Sequence, residues 1–339
     1  MRVLWVLLFS CCSLTSYSQF TEFDSLDFTM PDSIAAYYRG HSLKDKEELA
    51  LLLTKDFPSD VDKFRCIFKW ITDNVSYDLD LFHESNQKNK EYRFQRNKLK
   101  KWNKQFNKKL TKHLIQKKST ICSGYASLLK ELCQYAGISC EIISGYGRPY
   151  FPIGSGSVNH AWNAVRLNDR WYLCDPTWAS GYVDEDELHF TRNFNKNYFL
   201  TDPPLFSADH FPSDPNWFLT FDKPTIRNFL DAPIKRSGFI QYKLNHYRPE
   251  IGRMVVTPDS LMRFSFTSNL PAQSMKSVQV DIYKKSKRGF ESVYSKSLDL
   301  SIDKEGYYYF SFNLCDKGTF RVQIYYKRKF ILGYEVFSK

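Results

Sequence analysis

The stretch "NHAWNAVRLNDRWYLCDPTW", residues 159–178, constrains the fold more than any other part of the chain. Two apolar-rich runs flank Asn168-Asp169, and both residue types tolerate the left-handed backbone that a two-residue hairpin turn demands. Such a turn fixes the register of the whole hairpin. It sets Asp175 opposite Trp162 and His160 opposite Thr177. Side chains alternate faces along a strand, so His160 and Asp175 fall on one face as diagonal neighbours. One residue more or less in the turn would send them to opposite faces. The hairpin therefore brings an imidazole to a carboxylate, and the rest of the chain must build a sheet that carries it.

Helical periodicity precedes the hairpin. Residues 43–56 and 59–74 read as helices. In the second, Val61, Phe64, Ile67, Phe68 and Ile71 recur at three- and four-residue steps, and Ser59 suits the N-cap. A further helix follows Cys122 in "STICSGYASLLKELCQYAG". Its apolar stripe is Ala126, Leu129, Leu132, Cys133 and Ala136, and Gly137 ends it. Strands are expected at 139–146, 160–167 and 170–175, and residues 201–224 read as Pro-rich and irregular. From about residue 250 the period changes to two. "RMVVTP", "MRFSFTS", "SVQVDIYKK", "ESVYSKSLDL", "YYYFSFN", "TFRVQIYYK" and "FILGYEVF" make seven short strands, the pattern of an immunoglobulin-type β-sandwich. The reading is α+β followed by all-β, with domains at 19–225 and 240–339. A hydrophobic content of 42% with 17% aromatics is enough to fill both cores.

The chain opens with Arg2, an apolar run from Val3 to Phe9, and small residues at Ser16 and Ser18. Residues 1–18 read as a signal peptide, so the mature protein is expected to be exported, periplasmic or extracellular. Lipid anchoring at Cys11 is disfavoured by bulky Phe9 where a small residue belongs. No later run is long and apolar enough to cross a bilayer. Residues 88–118 hold thirteen Lys or Arg against one Glu, enough to account for the net charge of +11. Leu99, Trp102, Phe106, Leu110 and Leu114 form a single stripe there. The expectation is a packed helical insert with a solvated basic face. A second reading makes that face a dock for an anionic surface, such as a cell-envelope polymer or lipid headgroups. Nucleic acid is not an expected partner outside the cell, and the oligomeric state is left open.

Six cysteines follow the leader, with no CxxC pair and no zinc spacing. Cys122 stands at a helix start, where the helix dipole and a neighbouring imidazolium both favour a thiolate. A carboxylate fixes the tautomer of the imidazole beside it and stabilises its charge. Cys122, His160 and Asp175 thus divide the roles of a thiol triad. Backbone N–H groups near Cys122 could hold an oxyanion. Gly124, Tyr125, Trp162 and Trp178 are the candidate cleft residues. The acidic run "VDEDEL", 183–188, lacks the spaced ligands of a calcium loop, so no metal or cofactor is expected.

"CSGYASLLKELCQYAG", "HAWNAVRLNDRWYLCDPTW" and "NYFLTDPPLFSADHFPSDPNW" resemble the transglutaminase-like superfamily, and specifically its kyphoscoliosis-peptidase-like branch. "FRCIFKWITDNVSYD" is similar to that family's N-terminal segment, and "HFPSDPNW", 210–217, narrows the branch. The resemblance spans residues 45–225. It implies a papain-like α+β fold, a triad on Cys122, His160 and Asp175, and in many members a following β-sandwich. Asn-Asp stands where Asn-Gly is usual at the hairpin turn, and the stretch before Cys122 is unusually basic. The expected function is an exported thiol-dependent acyl-transfer enzyme, a cysteine peptidase or amidase acting on protein or peptide, or an acyltransferase to amines. The alternative is a catalytically silent binding or scaffold protein of the cell envelope that keeps the fold.

Overall fold

The computed structural model describes residues 22–23, 25–148, 158–183, 189–271 and 274–339. The leader at 1–18 lies outside them, as does most of "VDEDEL". Among the described residues no helix is long and apolar enough to cross a membrane.

Helices α1 (Thr29–Tyr37), α2 (Lys46–Thr54) and α3 (Asp60–Asn74) come first. Asp45 caps α2 through the Glu48 N–H, and Ser59 caps α3 through the Val61 N–H. The stripe read from sequence in α3 is buried, together with Trp70. Next come β1 (Ser76–Tyr77), α4 (Leu79–Glu91), α5 (Arg96–Lys117), β2 (Ser119–Thr120) and α6 (Cys122–Tyr135). The basic stretch is therefore two elements. Residues 88–91 close α4, the helix breaks after Tyr92, and α5 begins at Arg96. Phe106, Leu110 and Leu114 on α5 are buried, and the first two pack with Leu81 and Ile121. Strand β1 pairs in parallel with β2, which sets Tyr77 beside Thr120, two residues before Cys122.

The sheet that faces α6 holds β3 (Cys140–Gly147), β4 (His160–Leu167), β5 (Arg170–Cys174) and β8 (His210–Pro212) in the antiparallel order β5-β4-β3-β8. Between β5 and β8 lie α7 (Pro176–Ser180), β6 (Gly181–Val183), β7 (Phe190–Arg192) and α8 (Pro203–Phe206). Asn163 pairs with Cys174 and Leu167 with Arg170, the register of a two-residue turn. Asn168 and Asp169 take φ of 48° and 60°, the left-handed values such a turn needs. Pairing stops at Cys174, because Asp175 leaves the strand to cap α7 ahead of Pro176. The region read as irregular, 201–224, contains β8, which pairs with β3 through Gly147 and His210. Its three residues are too few to show a period.

Beyond these lie α9 (Ile226–Asp231), β9 (Ile234–Lys235), α10 (Ser237–Gln241), β10 (Leu244–Arg248), β11 (Arg253–Val256), β12 (Ser260–Ser268), β13 (Ser277–Ser286), β14 (Gly289–Asp299), β15 (Ser301–Ile302), β16 (Tyr308–Leu314), β17 (Gly318–Tyr326) and β18 (Lys329–Ser338). They form two sheets, β10-β12-β16-β15 and β11-β18-β17-β13-β14, with β9 also paired to β18. Alternate residues turn inward. Phe264, Phe266, Phe310 and Phe312 come from the first sheet, and Val280, Val322, Ile324 and Val336 from the second. Each large side chain buried this way is worth about 1.5–3 kcal/mol. The seven strands read from sequence are all present, and β9, β10 and β15 add to them. The apolar core runs without a break from Trp70 and Tyr172 to Phe264 and Val336.

Candidate active site

Three elements converge on the site. Helix α6 begins at Cys122 and packs on β3 and β4. The Asn163 side-chain amide locks helix to sheet by donating to the Ala126 carbonyl at 3.0 Å and the Glu141 carbonyl at 3.2 Å. His160 opens β4, and Asp175 stands at the far end of the hairpin. The diagonal placement holds, with His160 Nε2 donating to Asp175 Oδ2 at 2.7 Å. The Cys122 side chain is close enough to the same imidazole to help raise its pKa. Nε2 is committed to Asp175, which leaves Nδ1 as the nitrogen a thiol could use.

Electrostatics tie the group together. Burial opposes a charge on His160, but the Asp175 carboxylate and then the Cys122 side chain outweigh it and raise its pKa from 6.5 to about 10. Burial likewise pushes the Asp175 carboxyl up, while His160 and His210 pull harder and hold it well below its usual 3.8. Asp175 Oδ1 also accepts the N–H of Thr177 at 2.8 Å and of Trp178 at 3.2 Å. The remaining cysteines differ from Cys122, which is half-buried. Cys66, Cys133, Cys140 and Cys174 are buried, and all six of the described cysteines are unpaired. Burial pushes the Cys66 thiol up to about 12 and raises those of Cys133 and Cys174. Cys315 is exposed, and its hydrogen bond to Asp259 raises its pKa.

The four candidate cleft residues divide. Trp178 is half-buried and stacks on His160 with ring centroids 4.8 Å apart. Gly124, Tyr125 and Trp162 are buried. A side chain at Gly124 would meet Thr120 Oγ1 at 1.9 Å, so this glycine serves close packing of α6 on β2. The Tyr125 hydroxyl donates to the Val75 carbonyl at 2.8 Å. Trp162 is 1% exposed beneath His160 and His210.

Sequence reasoning missed two residues at the site. His210 on β8 donates Nε2–H to Asp175 Oδ2 at 3.1 Å, while its Nδ1 lies 2.6 Å from Asp209 Oδ1. The signal was in view, since His210 opens "HFPSDPNW". Tyr77 is the other. Burial pushes its phenol well up, and Cys122 is close enough to add to that effect. His160, Asp175 and His210 offer three donor atoms within 4.8 Å, the spacing of a metal site. Those atoms are spent on one another as hydrogen bonds.

A cysteine at a helix start facing a strand-borne imidazole and carboxylate defines a papain-like, transglutaminase-type domain. Residues 47–176 match the family model of the transglutaminase-like superfamily. This part of the chain is a transglutaminase-like domain of the kyphoscoliosis-peptidase-like branch. The kyphoscoliosis peptidase of Mus musculus is 32% identical over 232 residues, covering 67% of this chain and 32% of that protein. That of Homo sapiens is 33% identical over 208 residues, covering 60% and 29%. Hillarin of Drosophila melanogaster is 25% identical over 258 residues, covering 70% and 28%. The chain thus spans less than a third of the length of these relatives.

Proposed function

We propose that the protein is an exported thiol-dependent acyl-transfer enzyme that opens amide bonds in protein or peptide substrates. The observation that carries this reading is the Asp175–His160 contact at 2.7 Å, with Cys122 at the start of α6 near enough to the same imidazole to help raise its pKa. In the reaction Cys122 Sγ attacks the carbonyl carbon and a tetrahedral oxyanion forms beside the first turn of α6. The C–N bond then breaks, and the proton on His160 Nδ1 passes to the leaving amine. A thioester remains on Cys122. Water attacks it, gives a proton to His160 and releases the acid; an amine in place of water would yield a new amide. Asp175 keeps the imidazole oriented throughout. Hydrolysis is the expected outcome where water reaches the thioester freely. Export rests on residues 1–18 alone.

The test is alkylation followed by trapping. Iodoacetamide at neutral pH is expected to label Cys122 ahead of exposed Cys315, and more slowly once His160 becomes Ala. Peptide and cell-envelope libraries are then expected to leave an acyl adduct on Cys122, seen by mass spectrometry and absent from Cys122→Ala. Equal labelling of Cys122 and Cys315, with no adduct, would favour the silent scaffold.

A further inference from the structure

The inference deepens the acyl-transfer reading and concerns the far side of Asp175. Asp175 Oδ2 receives two imidazoles, His160 at 2.7 Å and His210 at 3.1 Å. With the two backbone N–H groups on Oδ1, this carboxylate accepts four hydrogen bonds. That fills the acceptor capacity of an ionised carboxylate and leaves no place for a proton. His210 is in turn held from behind. Its Nδ1 lies 2.6 Å from Asp209 Oδ1, and Asp209 Oδ2 accepts the Tyr198 hydroxyl at 2.7 Å. The ring is clamped in plane, stacked on Phe206 at 4.0 Å and covered by Trp178 at 4.4 Å. His210, Asp209 and Asp175 are each 1% exposed or less.

The hydrogen-bond count is informative. A neutral imidazole has one N–H, yet His210 faces a carboxylate oxygen at each nitrogen. Both contacts are hydrogen bonds only if the Asp209–His210–Asp175 unit holds one proton more than two carboxylates and a neutral ring. Asp175 is saturated, so that proton sits on the His210 side. A buried polar chain of this kind is costly unless every member is satisfied, and here each has a partner.

We propose that His210 is a positioning residue, clamped by Asp209, that fixes the Asp175 carboxylate in line with His160 and keeps it ionised. It acts through Asp175 and does not touch the thiol. Other titratable groups close enough to Asp175 or Asp209 to feel their charge include Tyr77, Tyr125, Cys174, Tyr198 and Lys235. None of them supplies a second imidazole donor to Asp175 Oδ2.

The experiment reads Asp175 directly, by ¹³C NMR titration of its side-chain carboxyl, assigned with Asp175→Asn. His210→Phe keeps the stacked ring and removes both donors. It is expected to raise the Asp175 midpoint by about one pH unit or more, and to slow Cys122 alkylation by about 10- to 100-fold, the range found when partners that orient metal-bound imidazoles are removed. His210→Gln restores a single donor toward Asp175 and is expected to recover part of both effects. Should His210→Phe fail to fold, Asp209→Asn loosens the clamp with little change of shape, and the Asp175 midpoint is again expected to rise, by less. A folded variant with an unchanged Asp175 midpoint overturns the proposal. If Cys122 and Cys315 react equally in the parent protein, the acyl-transfer reading falls, while the carboxyl midpoint still decides the role of His210.

Discussion

At the scale of single residues, the His160–Asp175 pair makes stability depend on pH in a definite way. His160 binds its proton more tightly when folded, with the pKa raised from 6.5 to about 10. Its contribution is therefore complete below 6.5 and is lost as pH rises toward 10. The Asp175 carboxyl is depressed below 3.8, so its contribution is present above that value and is lost as pH falls through the folded pKa. The two overlap fully between 3.8 and 6.5. Asp175→Asn is accordingly expected to cost most in that window and progressively less above it, measured by urea unfolding across pH; a flat difference would contradict the assignment. Gly147 offers a second test. A methyl group there would lie 2.9 Å from both Cβ and Cγ of His160, so β3 passes close over the imidazole. Gly147→Ala is expected to displace His160 and slow Cys122 alkylation several-fold while leaving the fold cooperative. Cys122, His160 and Asp175 were legible in the sequence because local rules place them: a helix start, a two-residue turn and strand alternation. His210 and Tyr77 reach the site through pairings of very short strands distant in sequence, β8 with β3 and β1 with β2; the motif that His210 opens marks the residue, but no local pattern announces either pairing.

At the scale of elements, α5 shows how charge and packing share one helix. Its first turn has no acidic residue and no side-chain cap, while Arg96 and Lys98 oppose the helix dipole. Its anchorage lies further along, at Phe106, Leu110 and Leu114. Leu110→Ala is expected to cost about 2 kcal/mol, the low end for a buried leucine because its cluster is small. Amide exchange is expected to be fastest before Phe106. Lys100, Lys101, Lys104 and Lys108 are exposed on the outer face. We propose that this face meets anionic surfaces. Replacing the four with Gln keeps helix propensity close to that of Lys. Binding to anionic vesicles is then expected to fall, and binding by the parent chain to weaken with salt, because exposed charges are screened within about 8 Å at physiological ionic strength. Salt-independent binding, unchanged by the four substitutions, would leave the face merely solvated. The stripe was legible because its period is strong over five residues. The break after Tyr92 was not, since Lys and Arg continue across it and composition alone gives no stop signal.

At the scale of the whole molecule, the α+β part and the sandwich are joined by side chains as well as by the chain. Arg148 follows the last residue of β3, two strands' width from β5, and is 2% exposed. Its guanidinium donates to the carbonyls of Leu230 at 3.2 Å and Pro233 at 3.1 Å, and also to that of Ala232. Arg236 returns a bond to the Arg148 carbonyl at 2.8 Å. The segment so gripped is laid on the sandwich, where Ile234 and Lys235 pair with Gly333 and Leu332 of β18. The path from His160 to the sandwich is therefore short: β4, β3, Arg148, β9, β18. Burial lowers the Arg148 pKa to about 10, still far enough above neutrality for the guanidinium to stay charged. Two buried carbonyls, those of Ala232 and Pro233, and the part-buried one of Leu230 lose this donor when Arg148 becomes Ala, the buried ones at about 1–3 kcal/mol each unless water replaces it. The parent chain is expected to unfold in one calorimetric transition. Arg148→Ala is expected to split that transition, with the α+β part melting first, and to slow Cys122 alkylation because β3 and Gly147 lose their anchor beside His160. Arg148→Lys, which has no planar fork to reach several carbonyls at once, should fall between them. Two transitions in the parent chain, or one unshifted transition in Arg148→Ala, would show that the halves are coupled by something other than this arginine.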